Sequence, residues 1–240
     1  MKLLLISGHG AGDPGAVGCG CREADETRKT TKAVAEYLEG LADVTIYPTD
    51  RNAYEDYRKG TLHSVASFRT YDYVLEIHFN AVQASAADGK VKGTEIYWVM
   101  DETAASTILD SVAHLGFTNR GLKTNNLAVI NAAALKGVPA ALLEVCFIDD
   151  ADDMALYTRD RAAVARAIAG GIVRAFGLTK KEEADEMVIY KTYEDVPDWG
   201  KPTVKKLMDK GLLQGTGDGL NLEHNMLRVL VINDRAGLYN

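Results

Sequence analysis

The sequence predicts an α/β fold with a mixed β-sheet flanked by helices, followed by a small α-helical C-terminal module. Strongly apolar strand-like segments, such as residues 3–7 and 138–147, alternate with longer runs of helical periodicity. The charged segment TKKEEADEM then interrupts this pattern, and two helical candidates follow it. The length of 240 residues is enough for one main domain with a substantial core and one small module.

The predicted elements alternate along the main domain. Leu3–Ser7 is typical of a strand buried on both faces. Glu23–Leu41 has one apolar helical face, and Gly40 lies near its end. The other predicted strands are Val44–Tyr47, Tyr73–His78, Gly93–Val99, Leu127–Ile130 and Val138–Phe147, and the other helices are Tyr54–Phe68, Asp101–Leu115 and Arg159–Phe176.

The predicted domain bounds follow the change in composition. Residues 1–178 form the α/β domain, residues 179–187 form a linker, and residues 188–240 form the small helical module. Within the module, a glycine-rich turn, GLLQGTGDGLNL, joins the two helical candidates Asp198–Lys210 and His224–Leu238.

Composition and charge limit the classes of function. The apolar fraction of 47% and the charged fraction of 25% are ordinary for a globular protein. A net charge of −7 argues against nucleic acid as the main partner. No apolar stretch approaches the length of a transmembrane helix, so we expect no membrane insertion. Three cysteines, Cys19, Cys21 and Cys146, do not indicate a disulfide framework.

The loop SGHGAGDPGAVG after the first strand contains the pattern G-x-G-x-x-G, which is the fingerprint of dinucleotide binding. A pyrophosphate needs free backbone N–H groups and a helix N-terminus close by. Here Pro14 removes a donor, Asp13 adds an anion, and no apolar helical run follows directly. We therefore favour a loop that folds tightly around His9 and leaves room for a ligand.

Ionisable residues gather at one edge of the predicted sheet. His9 follows the first strand, His78 ends the strand YDYVLEIH, and Glu144 interrupts the apolar run VPAALLEVCF. Glu23, at the start of the first helix, can turn back towards the same edge. Two imidazoles and one carboxylate form a ligand set of catalytic zinc sites, and a further carboxylate can act as base.

Five ordered motifs resemble the amidase 3 family of zinc-dependent N-acetylmuramoyl-L-alanine amidases, which includes bacterial cell-wall hydrolases and phage endolysins. They are GHGAGDPGAVG, READETRKT, EIHFNA, GTEIYW and PAALLEVCFIDD, and the resemblance covers about residues 1–177. It implies that His9, Glu23 and His78 are the ligands of a Zn²⁺ cofactor. It also implies that Glu144 is catalytic, taking a proton from water and passing it to the departing L-alanine amine.

Some positions depart from the family pattern. Glu76 stands where the family usually has serine, on the same strand face as His78. It is either a partner that orients the imidazole or a solvated carboxylate at the sheet edge. Cys146 replaces a glycine and is expected to be a small buried apolar residue. Cys19 and Cys21 lack a matching Cys/His pair, which argues against a second zinc site.

The C-terminal module resembles one S-layer-homology repeat in its pattern of DVPDW, a helix, GLLQG, GDG and a second helix. Such repeats bind secondary cell-wall polymers, so the resemblance implies wall anchoring, with Trp199, Gln214 and Arg228 as candidate binding residues. A single repeat has little core of its own. The module is therefore expected to form a homodimer or to pack on the catalytic domain, and a purely structural tail remains the alternative.

The predicted function is hydrolysis of the bond between N-acetylmuramic acid and L-alanine in peptidoglycan, by a phage or prophage endolysin. The N-terminal apolar run is short for a signal peptide, so we expect synthesis in the cytoplasm and action on the cell wall after release. Two alternatives remain. One is a zinc peptidase that cuts within the stem peptide, and the other is a wall-binding protein whose catalysis has decayed.

Overall fold

A computed structural model describes residues 1–82, 89–180 and 188–239. The chain divides into two compact units, residues 1–180 and residues 181–240. Residues 181–187 of the predicted linker lie outside the described residues.

The first unit is built on a mixed β-sheet, as the sequence predicts. Its six described strands are β1 (Lys2–Ser7), β4 (Asp43–Ile46), β5 (Tyr73–Asn80), β6 (Thr94–Val99), β7 (Asn119–Lys123) and β8 (Ala140–Phe147). A short hairpin, β2 (Val17–Gly18) with β3 (Cys21–Arg22), follows β1 in the chain. The sheet order is β4-β1-β5-β8-β6-β7, in which β4, β1, β5 and β8 are parallel and β6 and β7 run the opposite way.

Helices cover both faces of this sheet. They are α1 (Glu23–Tyr37), α2 (Ala53–Arg58), α3 (Leu62–Val65), α4 (Glu102–Ala113), α5 (Ala128–Ala134), α6 (Ala151–Arg159) and α7 (Arg161–Phe176). One buried core unites the sheet with α1, α4, α6 and α7, and a second unites it with α2, α3 and α5. Alternate residues of β1 enter opposite cores, because successive side chains of a strand point to opposite faces. Within the described chain, no helix has the length and hydropathy needed to cross a bilayer.

Three predicted elements were wrong in detail. The predicted strand Leu127–Ile130 belongs to the start of α5, whose buried positions 129, 130, 132 and 133 follow helical spacing. The predicted helix Tyr54–Phe68 is broken into α2, α3 and the 3₁₀ turn Phe68–Thr70. The helix predicted from Arg159 starts at Arg161, and α6 before it was not predicted. Asp160 separates them, since its side chain accepts from the N–H of Ala163 and caps α7.

The second unit, where described, contains a two-stranded ribbon and two helices. β9 (Ile189–Tyr190) pairs antiparallel with β10 (Leu222–Glu223), and the helices are α8 (Lys201–Asp209) and α9 (His224–Arg235). A small apolar core holds them together, formed by Val196, Val204, Leu222, Leu227 and Val231. This unit therefore has apolar packing of its own within residues 188–239.

The strand directions indicate which edge of the sheet is suited to a functional site. β1, β5 and β8 are neighbours and parallel, so their carboxyl ends meet at the same edge. β6 is antiparallel to β8 and therefore begins there. Ligand sites of open α/β sheets gather at such edges.

Candidate metal centre and active site

His9 lies in the sharp loop directly after β1. Its φ of 60° is in the left-handed region, and a Cβ at the neighbouring Gly15 would lie 2.7 Å from His9 Cδ2. His9 Nδ1 lies 2.8 Å from Oδ2 of Asp13, which also accepts a hydrogen bond from the side-chain amide of Asn52. The predicted tight loop is confirmed, and it holds the imidazole of His9 in one orientation.

Glu23 begins α1 and is buried between the two imidazoles. Its Oε2 lies 3.1 Å from His9 Nε2, and its Oε1 lies 3.0 Å from His78 Nδ1. The backbone N–H groups of Ala16 and Phe79 each donate to one of its oxygens. Burial opposes ionisation, but the hydrogen bonds from His78 and His9 prevail and hold the pKa of Glu23 well below its usual value. The carboxylate is therefore ionised and fixed in place.

His78 lies near the end of β5 and contacts two carboxylates. Its Nδ1 faces Glu23, and its Nε2 lies 3.1 Å from Oε1 of Glu76. Burial would lower the pKa of the imidazole, but these two carboxylates raise it well above its usual value. Gly8 allows the β1 loop to approach this ring, because a Cβ at Gly8 would overlap the imidazole.

These three residues form a possible metal site. Among the described residues, one group of His, Cys, Asp or Glu side chains converges closely enough to hold a metal ion: His9, Glu23 and His78, with ligand atoms within 4.8 Å of one another. Two imidazoles and one carboxylate fit a catalytic zinc ion with an open position. The ionised carboxylate of Glu23, between two imidazoles, supplies the negative charge and the oxygen and nitrogen donors that such an ion requires.

Glu144 lies on β8, beside His78 in parallel register and beside Glu95 of β6 in antiparallel register. Its Oε2 is buried and has no hydrogen-bond partner within the described residues. Burial raises the pKa of this carboxyl group to about 7, and His78 offsets part of the rise. Glu144 is thus a group that can gain and lose a proton near neutral pH, next to the possible metal site.

Glu76 resolves one of the alternatives left open by the sequence. The residue is only 5% exposed, and its carboxylate bonds to His78. The interpretation as a solvated carboxylate at the sheet edge is therefore wrong, and the structure fits a partner that orients the imidazole. Cys146 is buried against Met154, as an apolar residue would be. Cys19 and Cys21 are free thiols and belong to no metal-binding group among the described residues.

A second cluster beside Glu144 was not predicted. Glu95 is buried on β6 and accepts hydrogen bonds from Arg120 Nε at 2.7 Å, Asn80 Nδ2 at 2.9 Å and Tyr97 OH at 3.2 Å. Glu95 lies in the motif GTEIYW and Asn80 in the motif EIHFNA, so these two motifs could have indicated the cluster. Arg120 gave no signal because its strand, β7, was not predicted.

A cavity of about 540 Å³ opens beside the imidazoles of His9 and His78. It lies on the face of the sheet that α2 and α5 cover, and its wall includes Tyr54, Tyr57 and Leu127. This volume is within the range of roughly 300–1,000 Å³ that is typical of small-ligand sites. The possible metal site therefore has an adjoining space for a substrate.

The chain matches a known protein family along most of its first unit. The sequence model of a family described as N-acetylmuramoyl-L-alanine amidase matches residues 3–174. The chain belongs to this amidase family. The peptidoglycan amidase function predicted from the sequence is thereby supported, and so is its assignment as a hydrolase.

Relatives of the amidase include bacterial and phage proteins. It is 32% identical over 190 residues to Probable autolysin PH of Staphylococcus aureus, covering 71% of this chain but 38% of that protein. It is 29% identical over 192 residues to the Sporulation-specific N-acetylmuramoyl-L-alanine amidase of Bacillus subtilis, covering 75% of this chain and 70% of that one. It is also 29% identical over 214 residues to the Endolysin of Bacillus phage SPP1, covering 83% and 74%.

Solved structures share the fold. The catalytic domain of CwlV, an N-acetylmuramoyl-L-alanine amidase from Bacillus (Paenibacillus) polymyxa var. colistinus, superposes with a TM-score of 0.62 at 26% identity. That comparison covers 74% of this chain and 99% of the CwlV domain. The catalytic domain of the CD27L endolysin, at 22% identity, superposes with a TM-score of 0.59 and supports the fold alone.

The structure describes all three candidate binding residues of the C-terminal unit. Trp199 is 43% exposed, and its ring packs edge-to-face with the ring of His224, with 5.8 Å between the ring centroids. Gln214 donates to the carbonyl of Gly211, and Arg228 is exposed on α9. Within residues 188–239, no hydrogen bond or ring contact joins Trp199, Gln214 and Arg228.

Proposed function

We propose that this amidase is zinc-dependent and hydrolyses the bond between N-acetylmuramic acid and L-alanine in peptidoglycan. The proposal rests mainly on the convergence of His9, Glu23 and His78 beside Glu144, whose Oε2 is buried and has no hydrogen-bond partner within the described residues. His9, Glu23 and His78 would hold the zinc ion. When bound, zinc polarises a substrate carbonyl and lowers the pKa of water.

The protein's own groups support the proton transfers. Glu144 takes a proton from the attacking water, since its Oε2 is unpartnered and its pKa is about 7. It then returns that proton to the departing amine of L-alanine. Asp13 and Glu76 each hold one imidazole through a ring nitrogen, which keeps His9 and His78 in fixed orientations.

We propose action on the bacterial cell wall as an endolysin. The similarity to the phage SPP1 endolysin supports this role. Peptidoglycan is the partner that the amidase activity requires.

We further propose that the chain has a catalytic domain at residues 1–178, a linker at residues 179–187 and a wall-binding module at residues 188–240. The family match ends at residue 174, and the C-terminal unit packs around apolar residues of its own. Its ligand would be a secondary cell-wall polymer, contacted by Trp199, Gln214 and Arg228. Association of two copies through this module is the alternative role.

Product analysis tests the proposed reaction. Purified sacculi are digested with the full chain, and the released fragments are analysed by mass spectrometry. An amidase frees the N-terminus of L-alanine and leaves glycan strands without peptides. A new N-terminus at another residue would identify a peptidase instead, and no release from intact or soluble substrate would identify a wall-binding protein without activity.

A further inference from the structure

Two exposed tyrosines form one wall of the cavity beside the possible metal site. Tyr54 and Tyr57 are three positions apart on α2, and the two residues are 53% and 46% exposed. Both line the cavity that His9 and His78 also line. Exposed aromatic rings beside a reactive centre offer large, rigid contact surfaces for a ligand.

The position of α2 is coupled to the loop that contains His9. Asn52 caps the helix by accepting from the N–H groups of Tyr54 and Glu55. The amide nitrogen of the same side chain donates to Asp13, which contacts His9. One side chain therefore fixes the distance between the aromatic wall and the first candidate ligand, which preorganises the cavity.

The rest of the cavity suits an uncharged ligand with apolar and amide groups. Leu127, Val129 and Leu142 supply apolar surface, and the side chain of Asn126 supplies an amide. Among the described residues that line the cavity, there is no lysine or arginine, and the carboxylates of Asp13 and Glu76 each lie against one imidazole, of His9 and His78 respectively. Away from the imidazoles, the described wall therefore offers no cationic partner to a carboxylate.

The substrate of the proposed reaction extends in two chemically different directions from its scissile amide. The stem peptide carries carboxylates, whereas the N-acetylated sugars carry hydroxyl, acetamido and C–H surfaces without charge. We infer that the cavity walled by Tyr54 and Tyr57 binds the glycan side of peptidoglycan, with N-acetylated sugar rings stacked on the tyrosines. This inference rests on the proposed function, because it assigns one arm of that substrate.

A binding measurement without catalysis tests the subsite. Chitotetraose, an uncharged oligomer of N-acetylglucosamine, is titrated into the full chain by calorimetry. The variants are Tyr54→Ala/Tyr57→Ala, Tyr54→Phe/Tyr57→Phe and the control Tyr37→Ala, which removes an exposed tyrosine from α1. We expect binding to the wild type, the Phe variant and the control. The affinity of the Ala variant for chitotetraose should be about tenfold or more lower, which is the loss expected for one or two aromatic contacts.

A kinetic measurement tests whether the cavity binds the glycan side of the substrate. Two soluble substrates share the same peptide, one acylated by N-acetylmuramic acid and the other by lactic acid without the sugar. The preference for the sugar-bearing substrate, measured as a ratio of kcat/KM, should fall about tenfold in the Ala variant and persist in the Phe variant. An unchanged ratio, or wild-type chain that does not bind chitotetraose, would overturn the inference. Failure of the wild type to cleave either substrate would instead count against the proposed function.

Discussion

The Cα atoms of His78 and Glu144 face each other in parallel register on β5 and β8. The sheet therefore fixes a candidate metal ligand next to a candidate proton acceptor, without relying on a mobile loop. His78 is engaged by two other carboxylates, Glu23 and Glu76, whereas Oε2 of Glu144 has no partner in the described chain. Glu23 and Glu76 therefore hold the imidazole of His78, whereas Glu144 has an oxygen available to accept a proton.

The paired variant His9→Ala/His78→Ala should lose bound zinc. It removes two of three converging ligands, so metal content should drop from about one ion per chain to a trace. Elemental analysis after dialysis measures this. The control is His114→Ala, an exposed histidine whose Nδ1 hydrogen-bonds to the carbonyl of Asp110. Equal zinc content in the wild type and the paired variant would remove the metal hypothesis.

Glu76→Gln should weaken zinc binding while preserving the fold. The substitution keeps the size of the side chain but removes the carboxylate that orients His78, and loss of such partners typically reduces metal affinity about 10–100-fold. Competition with a chromophoric chelator gives the affinity. Glu102→Gln, on the exposed start of α4, serves as the matched control. If both variants bind zinc like the wild type, Glu76 has no orienting role.

Arg28→Ala should destabilise the loop that contains His9. The guanidinium of Arg28 donates to the carbonyls of Gly8, His9, Ala24, Thr49 and Arg51, and so ties the His9 loop to the start of α1. We expect a loss of roughly 1.5–3 kcal/mol in unfolding free energy, in the range of hydrogen bonds from a charged donor.

Zinc affinity should also fall in Arg28→Ala. Arg28→Lys should recover it only in part, since an ammonium group cannot reproduce the planar fork. Lys32→Ala, one turn further along α1, is the control for unfolding and chelator competition. The bracing role is wrong if Arg28→Ala retains the affinity of this control.

Truncation after Lys180 should separate catalysis from wall binding. The described first unit is compact, so the shortened chain should fold, bind zinc and cleave small soluble muropeptides at the full rate. Activity on intact walls should drop, because a tether raises the effective concentration of substrate. Residues 181–240 contain 11 acidic and 8 basic residues, so wall binding should survive moderate salt.

Two measurements test this prediction: the fraction of the full and truncated chains that sediments with cell walls, and the rate at which each chain lyses them. Equal sedimentation and equal lysis by the two chains would leave the C-terminal unit with a structural or dimerising role.

The sequence was informative where residue chemistry and strand ends coincide. His9 and His78 follow apolar strands, and Glu144 interrupts one, so their meeting at one sheet edge could be predicted from parallel topology. Glu23 was expected at the same edge because it starts the first helix after the loop, and the resemblance implied its role as a ligand. The β2–β3 hairpin that precedes it was not predicted.

Elements without a strong periodic pattern were missed. β7, with the sequence NRGLK, is an edge strand with little apolar content, so its Arg120 was not placed beside Glu95. A short apolar run such as the start of α5 fits a helix and a strand equally well. The burial of Glu76 depends on the neighbouring strands and helices, which no local pattern encodes.

The most direct test of the central claim is paired measurement of zinc content and amide hydrolysis in Glu144→Gln. The account predicts wild-type zinc content and a loss of about 10²–10⁴-fold in release of L-alanine N-termini, since the substitution removes the proton acceptor but no ligand. A Glu144→Gln protein that retains zinc and cleaves at the wild-type rate would contradict it.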